Sequence, residues 1–387
     1  MNSSIPKVGE HVIVKRADFE QLLDTLKKRE YQIVGPTIQE KAIVYDELTS
    51  VDDLPIGWTD EQDKGSYRLK RRDDEALFGY VISPQSWKQF LHPSSLRLWQ
   101  AERTDDGFQL TEGLPDAPKY AFIGVRACEL NAILIQDRVF MHDAYVDPSY
   151  QTRRTEAFIL AVNCGRAGKT CFCSSMNSGP QVTAGFDLAL TEIIEADRHE
   201  FVVEIGTELG SSVMGTVSHQ DASQTAVEQV EQIMTETASQ MGRILDTTEI
   251  KALLYRNFEH PEWENVANRC LTCANCTMVC PTCFCTNVED VTDLTGQQAE
   301  RHRHWDSCFN TEFSFIHGGG VRTSNKARYR QWMTHKLATW IDQFDTLGCV
   351  GCGRCITWCP VGIDITEEVA TIRKTDSAML TRLRGRS

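Results

Sequence analysis

The sequence lacks a long apolar run and a nucleotide-binding fingerprint. In its 387 residues no stretch approaches the roughly 18 apolar residues that span a bilayer, and the N-terminal segment has no apolar signal core. Gly165–Thr170 (GRAGKT) is not a phosphate-binding loop, because Asn163 stands where the first glycine belongs. We therefore expect a cytoplasmic protein that has no membrane contact and no dinucleotide site of its own.

The sequence also lacks an excess of positive charge. It has 40 Lys and Arg residues against 54 Asp and Glu residues, which gives a net charge of −14. Such a chain repels nucleic acid, so we expect no nucleic-acid partner. The hydrophobic content of 41% is ordinary for a globular protein, and the length suffices for two or three domains.

Cysteine is abundant, with 15 residues. A disulfide framework is not expected in a reducing compartment, so this number favours metal binding.

Eight of the cysteines form two runs with the same spacing, C-x2-C-x2-C-x3-C-P. The first run is Cys270, Cys273, Cys276 and Cys280 before Pro281, and the second is Cys349, Cys352, Cys355 and Cys359 before Pro360. In two-cluster ferredoxins such a run supplies three ligands to one 4Fe–4S cluster, and its fourth cysteine binds the other cluster. We therefore assign Cys270, Cys273, Cys276 and Cys359 to cluster 1, and Cys349, Cys352, Cys355 and Cys280 to cluster 2.

The spacing has a physical reason. Two-residue gaps let a tight loop wrap three corners of a cubane, with backbone N–H groups directed at the sulfurs. Gly351 and Gly353 lie inside the second loop, where a missing Cβ permits close approach. Two zinc sites are the alternative, but zinc does not account for the third cysteine, the x3 gap and the proline, each of which occurs twice.

The front half alternates between predicted strands and helices. Predicted strands are Gln32–Ile38, Ala42–Leu48, Ala121–Val125, Phe158–Val162 and Phe201–Ile205, and predicted helices are Ala17–Arg29, Glu129–Val139 and Leu188–Ala196. Asp52–Arg72 is polar and is predicted to be a loop. This pattern predicts an α/β part with a mixed or partly parallel sheet.

A change in composition suggests two domains, residues 1–220 and 221–387. Asp221–Leu245 is predicted to be a connecting helix, and Ala327–Phe344 carries a helical stripe of aromatic and aliphatic residues. The cysteine runs lie farther apart than in small bacterial ferredoxins, with predicted helices between them. We therefore expect an all-α C-terminal domain that resembles the α-helical type of dicluster ferredoxin.

Four further cysteines lie in the front half. Cys128 and Cys164 each follow a predicted strand, and Cys171 and Cys173 belong to the next loop. If the two strands are parallel neighbours, their carboxyl ends share the sheet edge where α/β folds build ligand sites. We therefore predict a third 4Fe–4S cluster held by these four thiols; the alternative is that they are free cysteines of the core. Cys283, Cys285 and Cys308 are a competing ligand set, or they only pack around a cluster.

Several segments resemble the iron–sulfur β subunit of cytosolic NAD(P)-linked NiFe hydrogenases, or sulfhydrogenases, a broad family that also includes the corresponding component of anaerobic sulfite reductase. The likeness extends from about Gly79 onward. The segments are Cys270–Cys285 (CLTCANCTMVCPTCFC), Trp305–Cys308 (WDSC), Arg328–Arg330 (RYR), Gly348–Ile365 (GCVGCGRCITWCPVGIDI), Gly124–Leu130 (GVRACEL), Cys171–Met176 (CFCSSM) and Gly185–Glu192 (GFDLALTE).

The resemblance implies a non-catalytic electron-transfer subunit within a hetero-oligomer. Such a subunit relays single electrons between one partner that binds flavin and NAD(P)H and another that comprises the small and large NiFe hydrogenase subunits. The alternatives are the corresponding electron-transfer component of anaerobic sulfite reductase and a self-contained sulfur reductase.

Overall fold

The computed structural model describes residues 5–81, 83–113, 117–142, 144–195 and 198–384. Its strands, numbered along the chain, are β1 (His11–Lys15), β2 (Gln32–Gln39), β3 (Ala42–Glu47), β4 (Trp58–Asp63), β5 (Ser66–Arg71), β6 (Ser95–Thr104), β7 (Gly107–Glu112), β8 (Tyr120–Arg126), β9 (Phe158–Val162), β10 (Leu188–Glu195), β11 (Arg198–Ile205), β12 (Gln220–Asp221), β13 (Thr286–Thr292), β14 (Gln298–Trp305), β15 (Phe315–Ile316) and β16 (Gly319–Gly320).

The described helices alternate with these strands in the front half and dominate the remainder. They are α1 (Phe19–Lys28), α2 (Lys88–Leu91), α3 (Ala127–Met141), α4 (Pro148–Thr155), α5 (Glu208–Met214), α6 (Gln224–Ser239), α7 (Ile250–Arg256), α8 (Glu262–Arg269), α9 (Asn275–Met278), α10 (Asn325–Thr334), α11 (Trp340–Phe344), α12 (Arg354–Thr357) and α13 (Ile365–Arg384). A π-helical turn, His335–Thr339, joins α10 to α11. Among the described helices, none combines the length and the apolar character that a membrane span requires.

The front half is built on an eight-stranded mixed sheet with the order β12-β1-β11-β10-β9-β8-β2-β3. The strands at its centre are parallel: β2 pairs in parallel with β8, β8 with β9, and β9 with β10. The central strands β8 and β9 are apolar and almost fully buried, as expected for strands covered on both faces. Helices α1 and α5 pack on one face and α3 and α4 on the other. The predicted partly parallel sheet is confirmed.

Two local predictions in the front half are wrong. Leu188–Glu195 is strand β10 rather than the helix expected for Leu188–Ala196, whose last residue lies outside the described chain. The run LALTEIIE satisfies a helical pattern, but neighbours β9 and β11 hold it extended. Asp52–Arg72 contains the β4–β5 hairpin rather than a loop, because one face of this polar segment is buried at Asp60 and Gln62.

The C-terminal part is not all-α. Strands β13 and β14 pair with each other, and β14 also pairs with β6, which gives a four-stranded sheet of order β13-β14-β6-β7. This hairpin lies between the two cysteine runs, in the segment expected to be helical. The domain boundary at residue 220 stays a prediction; helix α6, just beyond it, packs on the main sheet through Ala226, Val230 and Met234.

Candidate iron–sulfur centre

The first cysteine run lies in a loop between α8 and α9. Cys270 follows the last residue of α8, and Thr272 and Ala274 adopt left-handed backbone conformations, with φ of 51° and 66°. These two residues turn the chain sharply between successive cysteines. The short helix α9 then carries Cys276, and Cys280 follows it. The loop therefore presents Cys270, Cys273 and Cys276 around one concave space.

Cys359, from the second run, joins this first group of thiols. Cys270, Cys273, Cys276 and Cys359 line one cavity of about 480 Å³, part of it open to solvent, with apolar walls that include Phe309, Tyr329 and Trp332. Burial raises the pKa of Cys276 well above its ordinary value, and the nearby Cys270, Cys359 and Cys273 raise it further. These four thiols, the first thiol group, are those assigned to cluster 1 from the sequence.

The second thiol group comprises Cys349, Cys352, Cys355 and Cys280. Burial raises the pKa of Cys355 well above its ordinary value, and the charges of Cys349, Cys352 and Cys280 raise it further. Each of the first two also interacts electrostatically with Cys280. The structure therefore places Cys359, the fourth cysteine of the second run, with the thiols of the first run. It places Cys280, the fourth cysteine of the first run, with the thiols of the second run.

Both groups fit a negatively charged cluster better than free thiols. Backbone N–H groups point at sulfur in each group: Thr272 N lies 3.4 Å from Cys270 Sγ, Ile363 N lies 3.3 Å from Cys359 Sγ, and Gly351 N lies 3.5 Å from Cys349 Sγ. Metal binding requires deprotonated thiolates, and the irons would offset the repulsion between buried sulfurs that otherwise raises their pKa. Within the described residues, no three Cys, His, Asp or Glu side chains are arranged around one single metal ion.

A buried lysine contacts the second thiol group. Lys336 Nζ lies 3.2 Å from Cys280 Sγ, and it donates to the Gly348 carbonyl at 2.8 Å and to Thr282 Oγ1 at 3.1 Å. Lys336 belongs to the π-helical turn, which places its side chain inside the protein. A hydrogen bond from Cys283 and the charge of Lys336 hold the pKa of Cys280 well below its ordinary value. The lysine was not predicted; its only signal is a charge within an aromatic helical stripe.

The second run is docked onto the front half. Gly353, at φ 77°, lies so close to this part that a Cβ would be 2.4 Å from the Thr170 carbonyl oxygen, and a Cβ on Gly351 would be 2.6 Å from the Phe172 backbone. Phe172 N also donates to the Gly351 carbonyl at 2.8 Å. The glycines were predicted to permit close approach, and the approaching group is the backbone of the front half.

A buried ion pair secures the same interface. Arg354, between Gly353 and Cys355, pairs with Glu129 of helix α3, and both side chains are fully buried. Arg354 also donates to the carbonyls of Ser83 (2.7 Å) and Gln85 (2.8 Å). Glu129 accepts from Tyr45 Oη at 2.7 Å. These bonds fix the second thiol group relative to the sheet.

The structure also brings together Cys128, Cys164, Cys171 and Cys173, which we call the front thiol group. Cys128 lies in the first turn of α3 and Cys164 two residues beyond β9, so both lie at the carboxyl edge of parallel neighbours, as predicted. Burial raises the pKa of Cys173 above its ordinary range, and Cys171, Cys164 and Cys352 raise it further. The front thiol group therefore lies beside Cys352 of the second thiol group.

The remaining cysteines, Cys283, Cys285 and Cys308, lie at the base of the β13–β14 hairpin; we call them the hairpin thiols. Thr286 and Trp305 are the first paired residues of the hairpin, and Asp306 N donates to the Cys285 carbonyl at 2.8 Å. The Cys308 thiol hydrogen-bonds to Cys285, and Cys283 to Cys280. Their expected role as a competing ligand set, or as residues that only pack around a cluster, stays a prediction.

Residues 269–363, which contain both cysteine runs, match the family model of the 4Fe-4S dicluster domain. Over 352 residues the chain is 26% identical to sulfhydrogenase 2 subunit beta of Pyrococcus furiosus, an alignment that covers 89% of this chain and 92% of that relative. The resemblance inferred from the motifs is confirmed: the chain contains a match to a 4Fe-4S dicluster domain and is similar to a sulfhydrogenase β subunit. No solved structure matches the chain.

Proposed function

We propose that this chain is a relay subunit that passes single electrons through two 4Fe–4S clusters. The observation that supports this most strongly is the exchange of the fourth cysteine between the runs. Cys359 lies with Cys270 and Cys276, and Cys280 lies with Cys349 and Cys355. This exchange places two thiol groups side by side on one scaffold, as in two-cluster ferredoxins.

The cofactors would supply one-electron redox chemistry, and the protein would hold and tune them. The eight thiolates serve as ligands, and the N–H groups of Thr272, Gly351 and Ile363 stabilise sulfur charge. The first site has apolar walls and opens to solvent at the exposed Cys273. Arg354 and Lys336 add positive charge beside the second site.

We further propose the partners of the relay. The similarity to a sulfhydrogenase β subunit supports a cytoplasmic hetero-oligomer in which electrons move between one partner that binds flavin and NAD(P)H and the small and large subunits of a NiFe hydrogenase. The chain itself contains no dinucleotide fingerprint, so a separate nucleotide-binding subunit is consistent with the sequence.

The test is anaerobic purification followed by iron analysis and EPR of the reduced protein. Two clusters predict about eight irons per chain and two interacting paramagnets. In Cys273→Ala we expect loss of one cluster and of electron transfer, with the front half still folded by circular dichroism. Full iron content together with normal transfer in this variant would contradict the ligand assignment.

The front thiol group extends the proposal to a third 4Fe–4S cluster. Its four sulfurs lie close enough to raise one another's pKa, and Cys352 connects them to the second site. A third cluster predicts about twelve irons per chain. The double variant Cys171→Ser/Cys173→Ser should lose about four of them, and an unchanged count would leave the front thiols as buried free cysteines.

A further inference from the structure

The hairpin thiols have no role in the relay proposed above, although their surroundings differ from those of ordinary core cysteines. All three are partly exposed, and they line an open pocket together with Arg322, His335 and Lys336. The pocket contains about 1200 Å³ of empty space, including its mouth. It can therefore admit a small molecule to the sulfur atoms.

Cys285 and Cys308 form a close pair within this pocket. The first residue precedes β13 and the second lies three residues beyond β14, so the base of the hairpin holds them opposite each other. Interactions with the Cys308 thiol and backbone N–H, opposed by burial, lower the pKa of Cys285 to about 7. The lowered pKa favours the nucleophilic thiolate form of Cys285.

Positive charge surrounds this pair. Lys336 and Lys88 both act on Cys285, and the buried Lys88 Nζ donates to the Cys283 carbonyl at 3.0 Å. Among the described residues that line the pocket, none carries a carboxylate, whereas Arg322 and Lys336 are cationic. The pocket is therefore suited to a ligand with negative charge.

The hairpin thiols also lie next to the proposed redox centre. Cys283 hydrogen-bonds to Cys280 of the second thiol group, and Cys308 interacts electrostatically with Cys276 of the first. Electrons from the relay would therefore arrive beside the hairpin thiols.

We propose that Cys285 and Cys308 form a dithiol–disulfide centre that reduces a small anionic disulfide bound in this pocket, with electrons from the relay. The Cys285 thiolate attacks one sulfur of the ligand, which breaks the ligand S–S bond, forms a mixed disulfide and releases one thiolate. Cys308 then attacks Cys285, which releases the second thiol and closes the Cys285–Cys308 disulfide. Two electrons delivered singly by the clusters and two protons from solvent restore the dithiol.

This inference depends on the proposed function only for the return of electrons, so the experiment separates the two. The anaerobic holoprotein is first reduced with a chemical thiol reductant, which is then removed, and thiol release is followed with glutathione disulfide or, as the cationic control, cystamine. We expect exchange on the order of tenfold faster with glutathione disulfide after correction for solution reactivity. Disulfide mapping of the unmutated protein should then identify a Cys285–Cys308 bond.

Two variants define the roles of the sulfurs. Cys285→Ser should release thiols at the background rate, and Cys308→Ser should accumulate a glutathione adduct on Cys285, both with unchanged iron content. Loss of iron from either variant would make these residues cluster ligands and overturn the proposal, as would unchanged release in Cys285→Ser. Should a variant fail to fold, mapping of the unmutated protein decides, because an absent Cys285–Cys308 bond also overturns it.

A final step tests the supply of electrons. The oxidised centre is illuminated with a deazaflavin photoreductant that delivers single electrons, and the return of two thiols per chain is measured. Thiol–disulfide exchange without recovery of the two thiols on illumination would support the dithiol centre. It would contradict the supply of electrons to this centre from the relay.

Discussion

The ammonium group of Lys336 lies 3.2 Å from the sulfur of Cys280, inside the protein and beside the second thiol group. The first thiol group has apolar walls instead. A positive charge stabilises the more negative, reduced state of a cluster and so raises its reduction potential. The two proposed clusters should therefore differ in reduction potential. The second cluster should have the higher potential and should be reduced first.

Replacing Lys336 with methionine tests this difference. A charge at this range contributes on the order of 1–4 kcal/mol in a protein interior, so we expect one midpoint potential to fall by roughly 50–150 mV. The measurement is an EPR-monitored redox titration, with iron content as the check on assembly. Lys326→Met is the matched control, because Lys326 lies on α10 at the surface near Glu259 and Glu264. Equal shifts of both clusters would contradict a local effect.

Substitution of Gly353 should disrupt the second site. A Cβ here would be 2.4 Å from the Thr170 carbonyl oxygen, so the loop must move away from the front half. We expect Gly353→Ala to destabilise the protein by about 3 kcal/mol or more and to lose iron from the second thiol group. Gly296→Ala isolates the backbone contribution, since Gly296 also has positive φ but nothing within 4 Å of a Cβ. That control should lose only about 1–2 kcal/mol and keep its iron.

The buried ion pair between Glu129 and Arg354 gives a prediction about stability. Glu129→Gln leaves the guanidinium of Arg354 buried without its paired carboxylate, which should lower the free energy of unfolding by about 3–5 kcal/mol. Urea denaturation under anaerobic conditions measures the change. Asp342→Asn, which removes an exposed pair with Lys251, should have little effect. Similar midpoints for the two variants would show that the buried pair does not secure the interface.

Glu368 predicts a dependence of stability on pH. Burial, followed by a hydrogen bond with Glu262, raises the pKa of Glu368 from its ordinary value of 4.5 to about 7. Between these pH values the folded state binds more protons than the unfolded state, so stability should fall as the pH rises from about 4.5 to about 7. The urea midpoint, measured across this range, should vary less in Glu368→Gln than in Glu367→Gln, its exposed neighbour. An identical pH profile for the two variants would refute the assignment.

The sequence predicted the elements whose signal is local. The spacing of each cysteine run and the apolar runs of β8 and β9 depend only on neighbouring residues, and the structure has them where expected. The pairing of Cys285 with Cys308 was not predicted, because it depends on the register of the hairpin between them.

The hairpin itself has no apolar alternation. Strand β13 reads TNVEDVT and is exposed along nearly its whole length, and β14 reads QAERHRHW. Strand β6, which pairs with β14, lies about 200 residues earlier in the chain. This pairing therefore depends on distant contacts that a local sequence pattern does not reveal. Strand β10 was mistaken for a helix for a similar reason, since its neighbours decide its conformation.

The pairing of β14 with β6 makes the two halves of the chain interdependent. If the C-terminal part were expressed alone, β14 would present an unpaired edge to solvent, and such an edge recruits strands from other molecules. A fragment that begins at residue 221 should therefore self-associate even when all eight ferredoxin-type cysteines are present. A fusion of the C-terminal part to another protein should therefore include the β6–β7 hairpin.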